Sequence, residues 1–227
     1  MTALLLSPNN QEALHGRAAV NMDVGNQLGA MADVTAALNR CEKGTVAERA
    51  RLLSDRGVVH LKMKDVAFAV KDFREAIALD GACHSAYFNL GNLYFGDKQW
   101  KLAVKYYNKS IEAQPHRAAA ALLNRGIAHV SLGEVEAAIA DFDRVSDLEP
   151  RNAAAFFNRG NVARLQQEFK AGAVQYAHAV ELCGLDAGAR VSHAQVLTAG
   201  KYHCPEAHQE LVNAFFIQDE RDSHTRR

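Results

Sequence analysis

Residues 84–117 read HSAYFNLGNLYFGDKQWKLAVKYYNKSIEAQPHR. Apolar positions recur at helical spacing on both sides of Phe95-Gly96-Asp97-Lys98, so two short helices joined by a tight turn are expected. Gly91 on the first helix and Ala103 on the second leave room for the two backbones to cross closely. Tyr107 supplies a ring expected to fill the gap left toward the next pair. Pro115 ends the second helix, because it has no N–H to continue the ladder.

The same marks recur on either side of this stretch. Gly57, Gly91, Gly126 and Gly160 stand 34, 35 and 34 residues apart. Four residues before each glycine lies Leu53, Tyr87, Leu122 or Phe156, and twelve after it lies Ala69, Ala103, Ala138 or Gly172. Sixteen after it comes an aromatic residue (Phe73, Tyr107, Phe142, Tyr176), and nineteen after it Ala76, Ser110, Val145 or Ala179. Twenty-four after it comes a helix breaker, Gly81, Pro115, Pro150 or Gly184. One hairpin of this kind cannot bury both faces, so the units are expected to stack around a shared core. The pattern resembles the tetratricopeptide repeat family, whose period is 34 and whose small, aromatic and proline columns match those above.

The resemblance implies an all-α, right-handed solenoid of stacked antiparallel helix pairs. Its units fall at 50–83, 84–117, 119–152 and 153–186, with Ala118 as a one-residue insertion, and cover 137 of the 227 residues. Residues 1–49 hold two helices, roughly Asn10–Met22 and Asn26–Cys41, that lack the glycine and aromatic columns and are read as an N-terminal cap. Residues 187–218 read as a degenerate fifth repeat or C-terminal cap, and 219–227 as a flexible tail.

Composition agrees with a helical, folded chain. Hydrophobic residues make up 48% and charged residues 23%, which excludes a wholly disordered polymer. Alanine occurs 40 times against 4 prolines, a bias toward helix. Lys plus Arg and Asp plus Glu are both 26, so no net positive field draws the chain to nucleic acid or anionic membrane. No run approaches the ~18 apolar residues of a membrane span. The start, with its first basic residue at Arg17, fits neither a secretory nor a transit signal. Cys41, Cys83, Cys183 and Cys204 show no C-x-x-C spacing, so reduced thiols in a cytoplasmic protein are expected.

No nucleophile elbow, P-loop or dinucleotide fingerprint is present, and an enzyme is not expected. His193, His203, Cys204 and His208 are the one cluster with metal-ligating chemistry. Their spacing meets no zinc pattern and Pro205 interrupts the turn, so no metal and no cofactor are expected. Arg56, Arg125 and Arg159 precede the glycine, and Asp72 and Asp141 precede the second-helix aromatic. Leu90 and Tyr106 replace both charges together in the unit at 84–117. Ion pairs Arg56–Asp72 and Arg125–Asp141 between the helices of one unit are therefore expected.

Two residues before the glycine stand Asp55, Asn89, Asn124 and Asn158. First-helix faces of such a solenoid line its concave side, so Asn89, Asn124 and Asn158 are expected to form an amide ladder. An amide offers one acceptor and two donors, the complement of a peptide unit. Asn92, Asn161, Phe88, Phe95, Leu123, Ile127, Phe157 and Arg164 are expected around it, giving a mixed apolar and amide groove for a partner segment. Chaperone-binding members of the family use a carboxylate clamp (the Hsp70/Hsp90 type), whose positions can be laid on this chain with the unit at 84–117 as the first. Asn92 and Asn124 match, but Phe88, Ala154 and Asn158 stand where the cations belong, so no such clamp is expected. The expected function is a non-enzymatic protein-binding module or scaffold whose partner is another protein, with neither nucleic acid nor membrane as a partner. A structural subunit with its groove filled intramolecularly, and an RNA-binding helical repeat, are the alternatives.

Overall fold

A computed structural model describes residues 11–41 and 45–183 of the chain. The segment at 187–218, the tail at 219–227 and the cluster of His193, His203, Cys204 and His208 lie outside the described residues. Every regular element described is helical. In chain order these are α1 (Gln11–Asp23), α2 (Gln27–Arg40), α3 (Val46–Lys62), α4 (Val66–Leu79), α5 (His84–Gly96) and α6 (Trp100–Ala113). A 3-10 turn, Pro115–Arg117, precedes α7 (Ala119–Leu132), α8 (Val135–Leu148), α9 (Ala153–Leu165) and α10 (Phe169–Cys183). The chain divides into two compact units, residues 1–121 and 122–227.

Consecutive helices pair antiparallel. In α3 and α4, Arg56 meets Asp72 while His60, one turn further along, stacks on Phe68. The reversal between the helices of a pair is the same each time. Gly25, Lys64, Lys98, Gly133 and Gln167 have φ of 75°, 66°, 58°, 77° and 63°, and they are the positive-φ residues among those described. The N–H of the next residue then reaches back into the first helix: Asn26 to Asn21 O at 2.7 Å, Asp65 to His60 O at 2.8 Å, and Glu134 to His129 O at 2.9 Å. This is the Schellman closure, which gives the last carbonyls of a helix their donors. Two turns use glycine for the left-handed residue; two lysines and a glutamine adopt the same conformation without it.

Helix starts are marked in the sequence at three places. Thr45 and Glu48 form a reciprocal capping box at α3, with Glu48 N to Thr45 Oγ1 at 3.2 Å and Thr45 N to Glu48 Oε2 at 2.9 Å. Asn26 caps α2 by accepting from Gly29 N, and Asn152 caps α9 by accepting from Ala154 N.

The first unit is built on a core that runs through Leu14, Val34, Leu53, Phe73, Ala86 and Leu90. In the second, Phe142 and Val162 are buried with Leu123, Ile127 and Val130 packed against them, and Tyr176 is buried with Phe157 and Phe169. Within each unit the apolar face of one pair is closed by the next, which is how repeat units that cannot stand alone gain a shared interior.

Candidate functional site

Each hairpin is locked by one ring on one glycine. A Cβ added at Gly57 would lie 2.5 Å from Phe73 Cε1; at Gly91 it would lie 2.6 Å from Tyr107, at Gly126 2.6 Å from Phe142, and at Gly160 2.8 Å from Tyr176. All four rings are fully buried. The glycine column is therefore a seat for the aromatic column, and each explains the other.

Polar groups on the same two helices come in alternating sets. Where the ring is phenylalanine, an ion pair stands beside it. Arg56 donates to Asp72 through Nε and Nη2, both at 2.7 Å, and Arg125 donates to Asp141 at 2.8 and 2.5 Å. The carboxylates are buried, and hydrogen bonding to Asp72 holds the Arg56 pKa above its ordinary value against the opposing effect of burial. His60 and His129 approach the same carboxylates, at 3.8 and 3.9 Å. In the hairpin of α5 and α6 the three equivalent places hold Leu90, Tyr106 and Tyr94, and the two tyrosine rings stack at 5.1 Å. Arg159 lacks an aspartate on its own hairpin and lies 2.6 Å from Asp143 Oδ1 on α8, a charge contact without hydrogen-bond alignment.

Where the ring is tyrosine, its hydroxyl needs an acceptor, and the residue after the glycine provides it. Tyr107 donates to Asn92 Oδ1 at 2.8 Å and Tyr176 donates to Asn161 Oδ1 at 2.6 Å. In the phenylalanine hairpins that residue is Val58 or Ile127. Burial pushes the Tyr176 hydroxyl pKa up, with Arg164 acting in the opposite sense. Tyr176→Phe is expected to cost about 1 kcal/mol and Asn161→Ile about 1–3 kcal/mol, because the latter strands a buried hydroxyl. Together they copy the Phe142 and Ile127 arrangement and are expected to cost less than Asn161→Ile alone. Urea denaturation of the three variants measures this.

The hairpin of α1 and α2 carries the same device in a form the sequence columns do not show. Arg17 donates to Asp33 through Nε at 2.8 Å and through Nη2, with the same sixteen-residue separation as Arg56–Asp72 and Arg125–Asp141. Asn21 donates to Asp33 Oδ2 at 3.0 Å from the place of His60 and His129. In this register Ala18 occupies the glycine position and Val34 the ring position, both buried, with Ala30 and Ala37 in the small columns. The two residues exchanged size together. The arginine–aspartate spacing is the signal of this hairpin in the sequence, and it stands there without the glycine and aromatic columns.

The amide column has mixed partners. Asn89 Nδ2 lies 3.4 Å from Ser54 Oγ, and Asn158 Nδ2 donates to Ala154 O on its own helix at 2.8 Å. Asn124 is half-buried. Asp55, in the same column, accepts from or pairs with His15 Nε2 at 2.7 Å. The apolar residues of the same faces are half-buried against rings: Phe88 on Tyr107, Phe95 edge-on to Trp100, and Phe157 edge-on to Tyr176. Leu123 and Ile127 pack on the core of the second unit. Among the described residues, no group of three or more His, Cys, Asp or Glu is placed to hold a metal, and no helix is long and apolar enough to cross a membrane.

Residues 84–117 match a family model described as Tetratricopeptide repeat, and residues 123–189 match a second model of the same description. The human protein called Tetratricopeptide repeat protein 6 is 35% identical over 130 residues, 57% of this chain and 24% of that protein. The chain spans about a quarter or less of the length of the curated relatives it matches. Among solved structures, PilF of Pseudomonas aeruginosa is similar with a TM-score of 0.75 at 14% identity, over 90% of this chain and 88% of that one. YrrB, described as a TPR protein with an unusual peptide-binding site, is similar with a TM-score of 0.59 at 19% identity, over 88% of this chain and 96% of that one. Such low identities speak for the fold alone. The 34-residue period, the ring-on-glycine hairpins and the two family matches agree, and the chain belongs to the tetratricopeptide repeat family.

Proposed function

We propose that this chain is a non-catalytic scaffold that holds a segment of a partner protein along the first-helix faces of its repeats. The repeats concerned are 50–83, 84–117, 119–152 and 153–186, with residues 1–49 as the N-terminal cap. The observation that carries the reading is the amide column. Asn89 and Asn158 direct Nδ2 to the protein itself, and neither Oδ1 has a protein partner among the described residues. Each is an acceptor for a backbone N–H of an extended guest, with the half-buried rings of Phe88 and Phe157 beside it. Solenoids of stacked repeats use such extended surfaces for binding. No carboxylate clamp is part of the proposal, since Phe88, Ala154 and Asn158 supply no cations. An adaptor in the cytoplasm suits Cys83, a buried thiol outside any disulfide among the described residues.

Peptides selected on the immobilised chain from a displayed random library supply the ligand for the test. Their affinity is then measured by fluorescence anisotropy for the parent, for Asn89→Ala, and for Asn124→Ala with Asn158→Ala. Each variant is expected to weaken the peptides that engage its face about tenfold, with far-UV helicity retained. Failure to select any peptide, or equal affinity in both variants, rejects the mechanism.

A further inference from the structure

The hairpin of α1 and α2 leaves an open pocket of about 220 Å³ in the first unit, lined by Ala18, Ala19, Met22, Val34, Val58 and Val59, with His15, Asp23 and Asp55 as its polar members. Its origin is the exchange already described. In α3 and α4 the Phe73 ring fills the seat over Gly57, whereas Ala18 and Val34 occupy the corresponding places here and both line the void. The volume is below the roughly 300–1,000 Å³ of pockets for drug-sized ligands and is on the scale of one side chain. The wall is aliphatic, and the polar members are two carboxylates and one imidazole. An occupant must place an apolar stem on the wall and a positive charge at Asp55 and Asp23, as long basic side chains do. Asp55 Oδ2 already contacts His15 Nε2 at 2.7 Å, so the paired oxygens that a guanidinium fork grips are not both open.

We propose that this pocket is a socket for a single lysine side chain of the bound partner. The proposal rests on the protein-binding reading above, and extends it to the place where α1 and α2 meet the first-helix face of repeat 50–83, with another chemistry. It requires none of the asparagines, and its probe is an amino-acid derivative rather than a selected peptide. Failure of one test therefore leaves the other standing.

The test is methyl NMR of the full chain titrated with N-acetyl-lysine N-methylamide into the millimolar range. Saturable shifts of the Met22, Val34 and Val58 methyls are expected. The norleucine analogue, which keeps the stem and lacks the charge, is expected to bind about tenfold more weakly, and Asp55→Asn to weaken the lysine probe about fivefold. Ala18→Gly with Val34→Phe rebuilds the ring on its glycine and is expected to abolish the shifts. Ala19→Leu narrows the pocket from an exposed position and does the same without touching the core. Unmoved methyls, equal binding of norleucine, tighter binding of the arginine analogue, or shifts that survive both pocket-filling variants overturn the proposal.

Discussion

Asp141→Ala is expected to destabilise the second unit by about 3 kcal/mol, in the range for breaking a buried ion pair by removing one partner. The carboxylate is buried and takes two hydrogen bonds from Arg125, whose side chain is only 19% exposed. Without Asp141 the guanidinium loses this partner where water reaches it poorly, and His129, 3.9 Å from the same carboxylate, no longer shares an anion with it. The chain itself contains the control. Its repeat at 84–117 has Leu90, Tyr106 and Tyr94 at these places, so Arg125→Leu with Asp141→Tyr and His129→Tyr is expected to return most of the lost stability. That follows the general finding that well-packed apolar groups replace a buried ion pair at little cost. Chemical denaturation decides it: a loss below about 1 kcal/mol for Asp141→Ala would place the pair among ordinary surface salt bridges.

Gly126→Val is expected to cost about 3 kcal/mol or more, the upper end of overpacking in a close-packed core. Even the first added carbon lies 2.6 Å from Phe142 Cε1 and 2.9 Å from Cζ, and the buried ring has nowhere to retreat. Alanine tests the sign of the argument. On helix propensity alone, Gly→Ala stabilises by roughly 0.5–1 kcal/mol. At Gly16 on α1, where an added Cβ meets nothing within 4 Å, that gain is expected in full. At Gly126 the clash exceeds it and alanine destabilises. Phe142→Val in the Gly126→Ala background copies Ala18 and Val34 and is expected to recover part of the loss, so the two changes couple. Additive effects of the two substitutions would show that the ring does not sit on the glycine.

The hairpin, its period and its ion pairs were legible because they rest on contacts inside one unit. Gly91 and Tyr107 lie sixteen residues apart on two helices joined by a tight turn, so a fixed sequence distance maps onto a fixed contact. The same holds for Arg56 and Asp72. The asparagine columns were less legible. Asn92 and Asn161 were expected to face a guest, but their Oδ1 atoms receive the hydroxyls of Tyr107 and Tyr176, a demand visible only when phenylalanine and tyrosine are treated as different rings. In the column of Asn89, Asn124 and Asn158, an amide hydrogen bonds to a hydroxyl or a carbonyl according to neighbours one turn or one repeat away. No single column records that choice.

The sequence by itself determined the helical class and the register of the repeats, because glycine and aromatic residues at a constant interval report a repeated helix crossing. That each ring sits on the glycine of its own hairpin came only from the structure. Only the tertiary structure revealed that α1 and α2 are built on the same plan. Packing constrains the joint volume of Ala18 and Val34 rather than either residue alone, so both can depart from their columns while the arginine–aspartate lock holds the geometry. The pocket beside them has the same cause. An aliphatic pair fills less of the seat than a ring does, and the space left over becomes visible only when three helices are seen around it.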